Sequence, residues 1–324
     1  ITLVLSGYRC HLPNTTSIKG AAITLLITSY FLAPALEARP QQLGIALAFL
    51  ICLQVTSQPQ TSIGWLLAAL LPLAFWHVLS FFVAIAYVSV WKLTLWRLGS
   101  LRGGAILLWF VLASSLSASL IWSRAYRSLL EDVLANHVAG HFTLALLIIS
   151  SLVLASCLCA VPAKLWKKVR ALCLCHINVF VAIIFLLSAI ALTLQWQLLP
   201  SSALQDYGGS AVTFCMWHAG NLGFCFCYLL GLQICFRGEV DGLQAFVNGS
   251  LILLVFASFA LFASLFLAHV NWMIRILYFW IPFAAPLSAL GLGKLLSHAY
   301  KFRHLILFCL FMASLSHVVR LSIV

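Results

Sequence analysis

Arg275 stands in the run HVNWMIRILYFW, a cation close to or within a stretch apolar enough to be a helix in lipid. A charge in that setting costs about 2.5–3.5 kcal/mol at the bilayer centre unless it faces a cavity, water or a partner. Two roles follow. Arg275 snorkels to an interface, which Asn271 and Trp272 place nearby, or it lines an outward cavity, where its planar fork donates two parallel hydrogen bonds to a phosphate. Arg124 and Arg127 lie in WSRAYRSLLEDVLANHVAGH. If helical, they share a face at i, i+3, with Glu131 four residues beyond Arg127. That is either a surface helix with internal ion pairs or an amphipathic segment presenting arginines to a substrate. His137 and His141 have the i, i+4 spacing of metal ligands, but no third ligand is spaced with them, so no metal site is expected. Asp206 and Tyr207 stand in LLPSSALQDYGGSAV, a turn rich in Ser and Gly, where Asp206 is a solvated loop carboxylate or a general base beside a cavity.

The elements that position these residues are membrane helices. Of the 324 residues, 64% are hydrophobic and 7% charged. A soluble domain carries roughly 25% charged residues to dress its surface for water. About 20 apolar residues cross the hydrocarbon core, and a helix satisfies its own backbone there. The expected fold class is all-α: a polytopic bundle of about ten transmembrane helices forming a single transmembrane domain over residues 1–324. The expected spans are Gly20–Leu36, Gln41–Ser57, Ile63–Val90, Gly103–Trp122, Phe142–Val161, Val179–Leu199, Ala211–Phe236, Phe246–His269, Ile276–Leu296 and His304–Ile323. Ile63–Val90 is long for one crossing, so it is tilted or broken near Pro72; Gln41–Ser57 is short and carries Gln54, which suits a re-entrant segment. Trp65, Trp91, Trp96, Trp122, Trp166, Trp196 and Trp272 fall near span ends, as interfacial belts require. Trp76 and Trp109 fall inside spans and pack against helices or lipid. The opening segment ITLVLSGYRC reads as the last turns of a helix whose start is missing, and no cleavable signal peptide is visible.

The net charge of +12 is read as topology and not as a nucleic-acid surface, because the basic residues are scattered between apolar runs. Counted over alternate connections, twelve of the eighteen Lys and Arg fall on one side, among them Arg39, Lys92, Arg97, Arg102, Arg237 and Lys294, and six on the other. The twelve-residue side is expected to be cytoplasmic. The outer face then keeps Arg9, Arg124, Arg127 and Arg275. Most of the eleven cysteines sit in apolar runs as small buried hydrophobes, and their C-x-C pairs lack the C-x-x-C spacing of a redox or zinc site.

The run R-I-L-Y-F at Arg275, followed by an apolar helix with Pro282 and Pro286, resembles the late motif of EpsG-like and Wzy-type polysaccharide polymerases. There an arginine near a Tyr-Phe pair, here Tyr278 and Phe279, opens a late transmembrane helix. GYRCHLPNTTSIKG, with Arg9, is similar to their first outer loop, although Asn14 stands where an acid is expected. QDYGGSAV resembles their tyrosine-containing outer loop. The resemblance implies a glycosyltransferase of polysaccharide (O-antigen or exopolysaccharide) biosynthesis, multi-pass in the bacterial inner membrane. It would join oligosaccharide units carried on undecaprenyl pyrophosphate at the outer face. Arg9, Arg124, Arg127, Arg275 and Tyr278 would bind substrate, with Asp206, Glu131 or His137 as the base. No cofactor, nucleotide sugar or metal is needed. The implied partners are the lipid bilayer, a lipid-linked oligosaccharide and a chain-length regulator, with no nucleic acid.

Two other classes fit the residues. A transporter or flippase for an anionic or lipid-linked substrate would also use an outward cationic cavity, although no internal repeat is visible. A structural subunit of a membrane complex would use small-residue stretches such as ASSLSAS at Ala113–Ser119 for helix packing.

Overall fold

The computed structural model describes residues 2–12, 15–27, 40–58, 60–122, 211–240, 242–267, 271–302 and 304. Among the described residues all regular structure is helical: α1 (Thr2–His11), α2 (Thr15–Ile27), α3 (Pro40–Ser57), α4 (Ile63–Trp76), α5 (Val78–Arg97), α6 (Gly103–Trp122), α7 (Ala211–Phe236), α8 (Gln244–Leu267) and α9 (Asn271–His298), then a short 3-10 turn at Tyr300–Phe302. Among the described residues two stretches are long and apolar enough to cross a membrane, Leu79–Arg97 in α5 and Leu277–His298 in α9. The expected spans Gln41–Ser57, Gly103–Trp122, Ala211–Phe236 and Ile276–Leu296 each fall on one helix, α3, α6, α7 and α9, and Phe246–His269 falls on α8 as far as Leu267. Phe142–Val161, Val179–Leu199 and nearly all of His304–Ile323 lie outside the described residues.

Two compact units interleave along the chain: Ile1–Arg39 with Lys164–Val247 and Ile281–Val324, and Pro40–Ala163 with Asn248–Trp280. In the second unit the expected single span Ile63–Val90 is two helices. The break is at His77 and not at Pro72, which sits inside α4. His77 is extended (φ −154°, ψ 100°), so the helical ladder cannot pass through it. Its backbone N–H closes α4 on the Leu73 carbonyl at 2.9 Å. Its Nδ1 accepts the Ser80 N–H at 3.2 Å and lies 2.6 Å from the Ser80 hydroxyl, capping α5. The chain reverses there. Gly44, near the start of α3, lies against His77, and a Cβ on it would come within 2.6 Å of the His77 Cβ.

Towards the other end of α3, Thr56 Oγ1 is 2.6 Å from Tyr87 Oη, and the Trp91 indole N–H donates to the Val55 carbonyl at 3.1 Å. That carbonyl belongs to the last turn of α3, where no helical donor remains, and Pro59 has no N–H to supply one. α3 and α5 therefore run in the same direction, with α4 returning antiparallel. α5 closes on Gly99 at φ +74°, with Gly99 N–H on the Trp96 carbonyl and Ser100 N–H on the Leu95 carbonyl, each at 2.9 Å: a Schellman cap. α6 then packs on α5 through the buried Trp109, whose Nε1 donates to Ser89 Oγ at 3.0 Å and whose ring centre lies 5.9 Å from Lys92 Nζ.

In the first unit α9 supplies the core, with Phe283, Ala284, Ala285 and Leu287 at most 1% exposed. α7 crosses it at glycines. A Cβ on Gly231 would meet the Leu287 carbonyl oxygen at 1.9 Å, and one on Gly291 the Cys227 carbonyl oxygen at 1.9 Å, so the two backbones touch. α7 ends on a second Schellman cap at Gly238 (φ +73°), and Glu239 beyond it lies 3.5 Å from Lys294 Nζ and 3.9 Å from Arg237. Arg237 and Lys294 thus share one end of this unit, as the alternate-connection count expects. In the second unit the reversal at His77 puts Arg97 and Arg102 at the end away from the start of α3.

Candidate functional site

α1 carries Arg9 exposed at its last turn, beside Tyr8, which is fully buried. The Tyr8 hydroxyl donates to the Pro282 carbonyl at 2.6 Å. The reason lies in α9. Pro286 has no N–H, so the carbonyl four residues earlier, that of Pro282, has no helical donor. A buried unpaired carbonyl costs about 1–3 kcal/mol, and the tyrosine removes that cost. Phe246 packs edge-on against the Tyr8 ring at 5.9 Å and lies 6.4 Å from Phe283, fixing the phenol where the carbonyl opens. Thr24 of α2 adds a hydrogen bond to the Ala285 carbonyl at 2.9 Å.

Of the motif segments, GYRC with Arg9 thus touches α9 at Pro282; Arg275 and the half-buried Tyr278 stand earlier on that helix. Arg124, Arg127, Glu131, His137 and Asp206 lie outside the described residues. Cys10, Cys52, Cys225, Cys227 and Cys235 are free thiols, with Cys52 and Cys227 buried among apolar neighbours. Among the described residues no group of three or more His, Cys, Asp or Glu could hold a metal ion.

A second feature is an open cleft of about 750 Å³ in the second unit, lined by Gln54, Gln58, Gln60, Thr61, Ser62, Trp65 and Ser100. Its parts come from the end of α3, the α3–α4 turn, the start of α4 and the α5–α6 turn. The Ser62 hydroxyl caps α4 by accepting the Trp65 backbone N–H at 3.3 Å, and the Trp65 side chain at the rim is 45% exposed. Gln54 donates to Gln58 at 2.7 Å, and Thr61 Oγ1 donates to the Gln58 backbone carbonyl at 2.6 Å. The sequence reading takes Gln54 as a mark of a re-entrant segment and Trp65 as a belt residue. The missed signal is the density of amides and hydroxyls in QVTSQPQTS, in a chain otherwise so apolar. Ser100 could not be added without the reversal at His77.

Neither a protein-family profile, nor a curated protein, nor a solved structure matches the chain.

Proposed function

We propose that this chain is a multi-pass membrane protein that polymerises lipid-linked oligosaccharide units at the outer face of a bacterial inner membrane. Support for the membrane setting comes from α5 and α9, each long and apolar enough to cross. It comes also from large apolar side chains open to the surroundings, Phe75 on α4 at 75% exposure and Leu107 on α6 at 66%, which lipid would cover. The observation that carries the polymerase reading is the Tyr8–Pro282 hydrogen bond, which ties the Arg9 segment to the Arg275 helix.

In the proposed reaction a hydroxyl at the non-reducing end of one unit attacks the anomeric carbon of the growing chain. The new C–O bond forms as the bond to the lipid pyrophosphate breaks. The hydroxyl proton passes to a base, one of Asp206, Glu131 or His137. Arg9, Arg124, Arg127 and Arg275 hold the departing pyrophosphate as its charge grows, with Tyr278 beside Arg275 on the helix. A chain-length regulator is a partner compatible with this activity.

Polymer length on a gel tests the reading. A strain lacking the gene is compared with strains carrying wild type or Arg275→Ala at matched membrane levels. A ladder restored by wild type and collapsed to single units by Arg275→Ala supports polymerisation. Long chains in the null strain, or no single units outside, would end it.

A further inference from the structure

We propose that the cavity at the α3–α4 and α5–α6 turns is a binding site for a neutral, polyhydroxylated ligand: a glycan chain, free or carried on a lipid. This goes beyond the proposed function, since it requires no transfer chemistry and uses none of the arginines or acids invoked there. The volume of about 750 Å³ falls within the range of small-molecule pockets, roughly 300–1,000 Å³.

The lining selects the chemistry. Among the described residues seven line the cavity and none of them is charged: three glutamines, two serines, a threonine and a tryptophan. An anion or cation entering it would shed water without a counter-charge to compensate. A purely apolar ligand would strand the amides. A sugar satisfies both demands, because each hydroxyl donates and accepts while one ring face presents only C–H groups.

The hydrogen-bond inventory points the same way. The Gln54–Gln58 bond uses one donor and one acceptor. Whichever way the two amides are oriented, one further carbonyl oxygen and one further amino group remain open among the described residues. That pair suits neighbouring hydroxyls. The Trp65 backbone N–H is held by the Ser62 cap, and its 45% exposed indole offers a flat apolar face on which a sugar ring can lie. Gly64 beside it leaves open space: a Cβ there would meet nothing within 4 Å. Ser100 is fixed by the Schellman cap at Gly99, so the far wall is rigid backbone.

The test uses the full chain in lipid nanodiscs, because maltoside detergents would themselves occupy such a site. One arm titrates maltopentaose, cellopentaose and chitopentaose as free neutral glycans, with polyglutamate as a charged control. The other arm places digalactosyldiacylglycerol in the nanodisc as a neutral glycolipid. Saturable binding in either arm is expected, and the arm that responds tells a free glycan from a lipid-carried one. Trp65→Ala should weaken binding by about tenfold or more, Gln58→Leu by a similar factor, and Trp65→Phe by less, since an aromatic face remains. Helix content and unfolding midpoint, followed for each variant, separate lost binding from lost fold. No saturable binding in either arm, or binding that Trp65→Ala and Gln58→Leu leave unchanged, would overturn the proposal. If Arg275→Ala abolishes polymer yet binds glycan as wild type does, the cavity stands apart from the polymerase reading; glycan binding without any polymer activity sinks that reading alone.

Discussion

The Tyr8 hydroxyl lies 2.6 Å from the Pro282 carbonyl oxygen, the group that Pro286 deprives of its helical donor. Residues 274 positions apart are thus joined at a point of α9 where the helix cannot satisfy itself. This explains why an aromatic hydroxyl is tolerated at 0% exposure in a largely apolar core.

Tyr8→Phe should therefore destabilise the folded protein by about 1–3 kcal/mol, the cost of leaving a buried carbonyl unpaired. Pro286→Ala restores an N–H to the same carbonyl, so Tyr8→Phe should cost much less in that background. Unfolding in mixed micelles, measured for the four members of the cycle, checks this. Equal losses in both backgrounds would show that the hydroxyl serves something other than the orphaned carbonyl.

The α7–α9 crossing admits no side chain at Gly231 or Gly291. Alanine at either should force the backbones apart and destabilise by about 1–3 kcal/mol, as overpacking does. Gly293, where a Cβ would meet nothing within 4 Å, is the control. Gly293→Ala should be neutral or stabilising by about 0.5–1 kcal/mol, because alanine has less backbone entropy to lose. Expression and unfolding midpoints of the three variants decide it.

The reversal at His77 puts the α3–α4 and α5–α6 turns at the same end of the second unit. Single cysteines at Gln60 and Ser100, in a background freed of the native thiols, should label with an impermeant maleimide from the same side of the membrane. A continuous span over Ile63–Val90 demands labelling from opposite sides, and that result would refute the two-helix arrangement.

Burial holds the His11 imidazole below its ordinary value near 6.5. The unfolded chain protonates this ring first, and the folded chain only at lower pH. Stability is thus unaffected well above 6.5 and declines as pH falls through it towards the folded value. Comparing unfolding midpoints at about pH 8 and about pH 5.5, the wild type should lose more than His11→Gln. Equal losses would assign the decline to other groups.

Composition and apolar runs alone determined the helical class and the positions of α3, α6, α7, α8 and most of α9. A segment in lipid must satisfy its backbone locally, and only a helix does so. The end of α7 at Phe236 was equally legible. The break at His77 was not. Pro72 looked like the interruption, yet a proline removes one helical hydrogen bond, whereas His77 ends the helix because its ring caps the next one and Gly44 leaves room for the turn. Those are contacts between residues distant in sequence, and periodicity does not contain them. The same holds for Tyr8, whose role depends on a carbonyl opened by Pro286, and for Ser100, which joins Gln54, Gln58 and Trp65 only because α4 returns between α3 and α5. Which segments are helices follows from the solvent each residue type prefers. Which helices meet, and which polar groups they leave facing one cavity, is decided by packing across the chain.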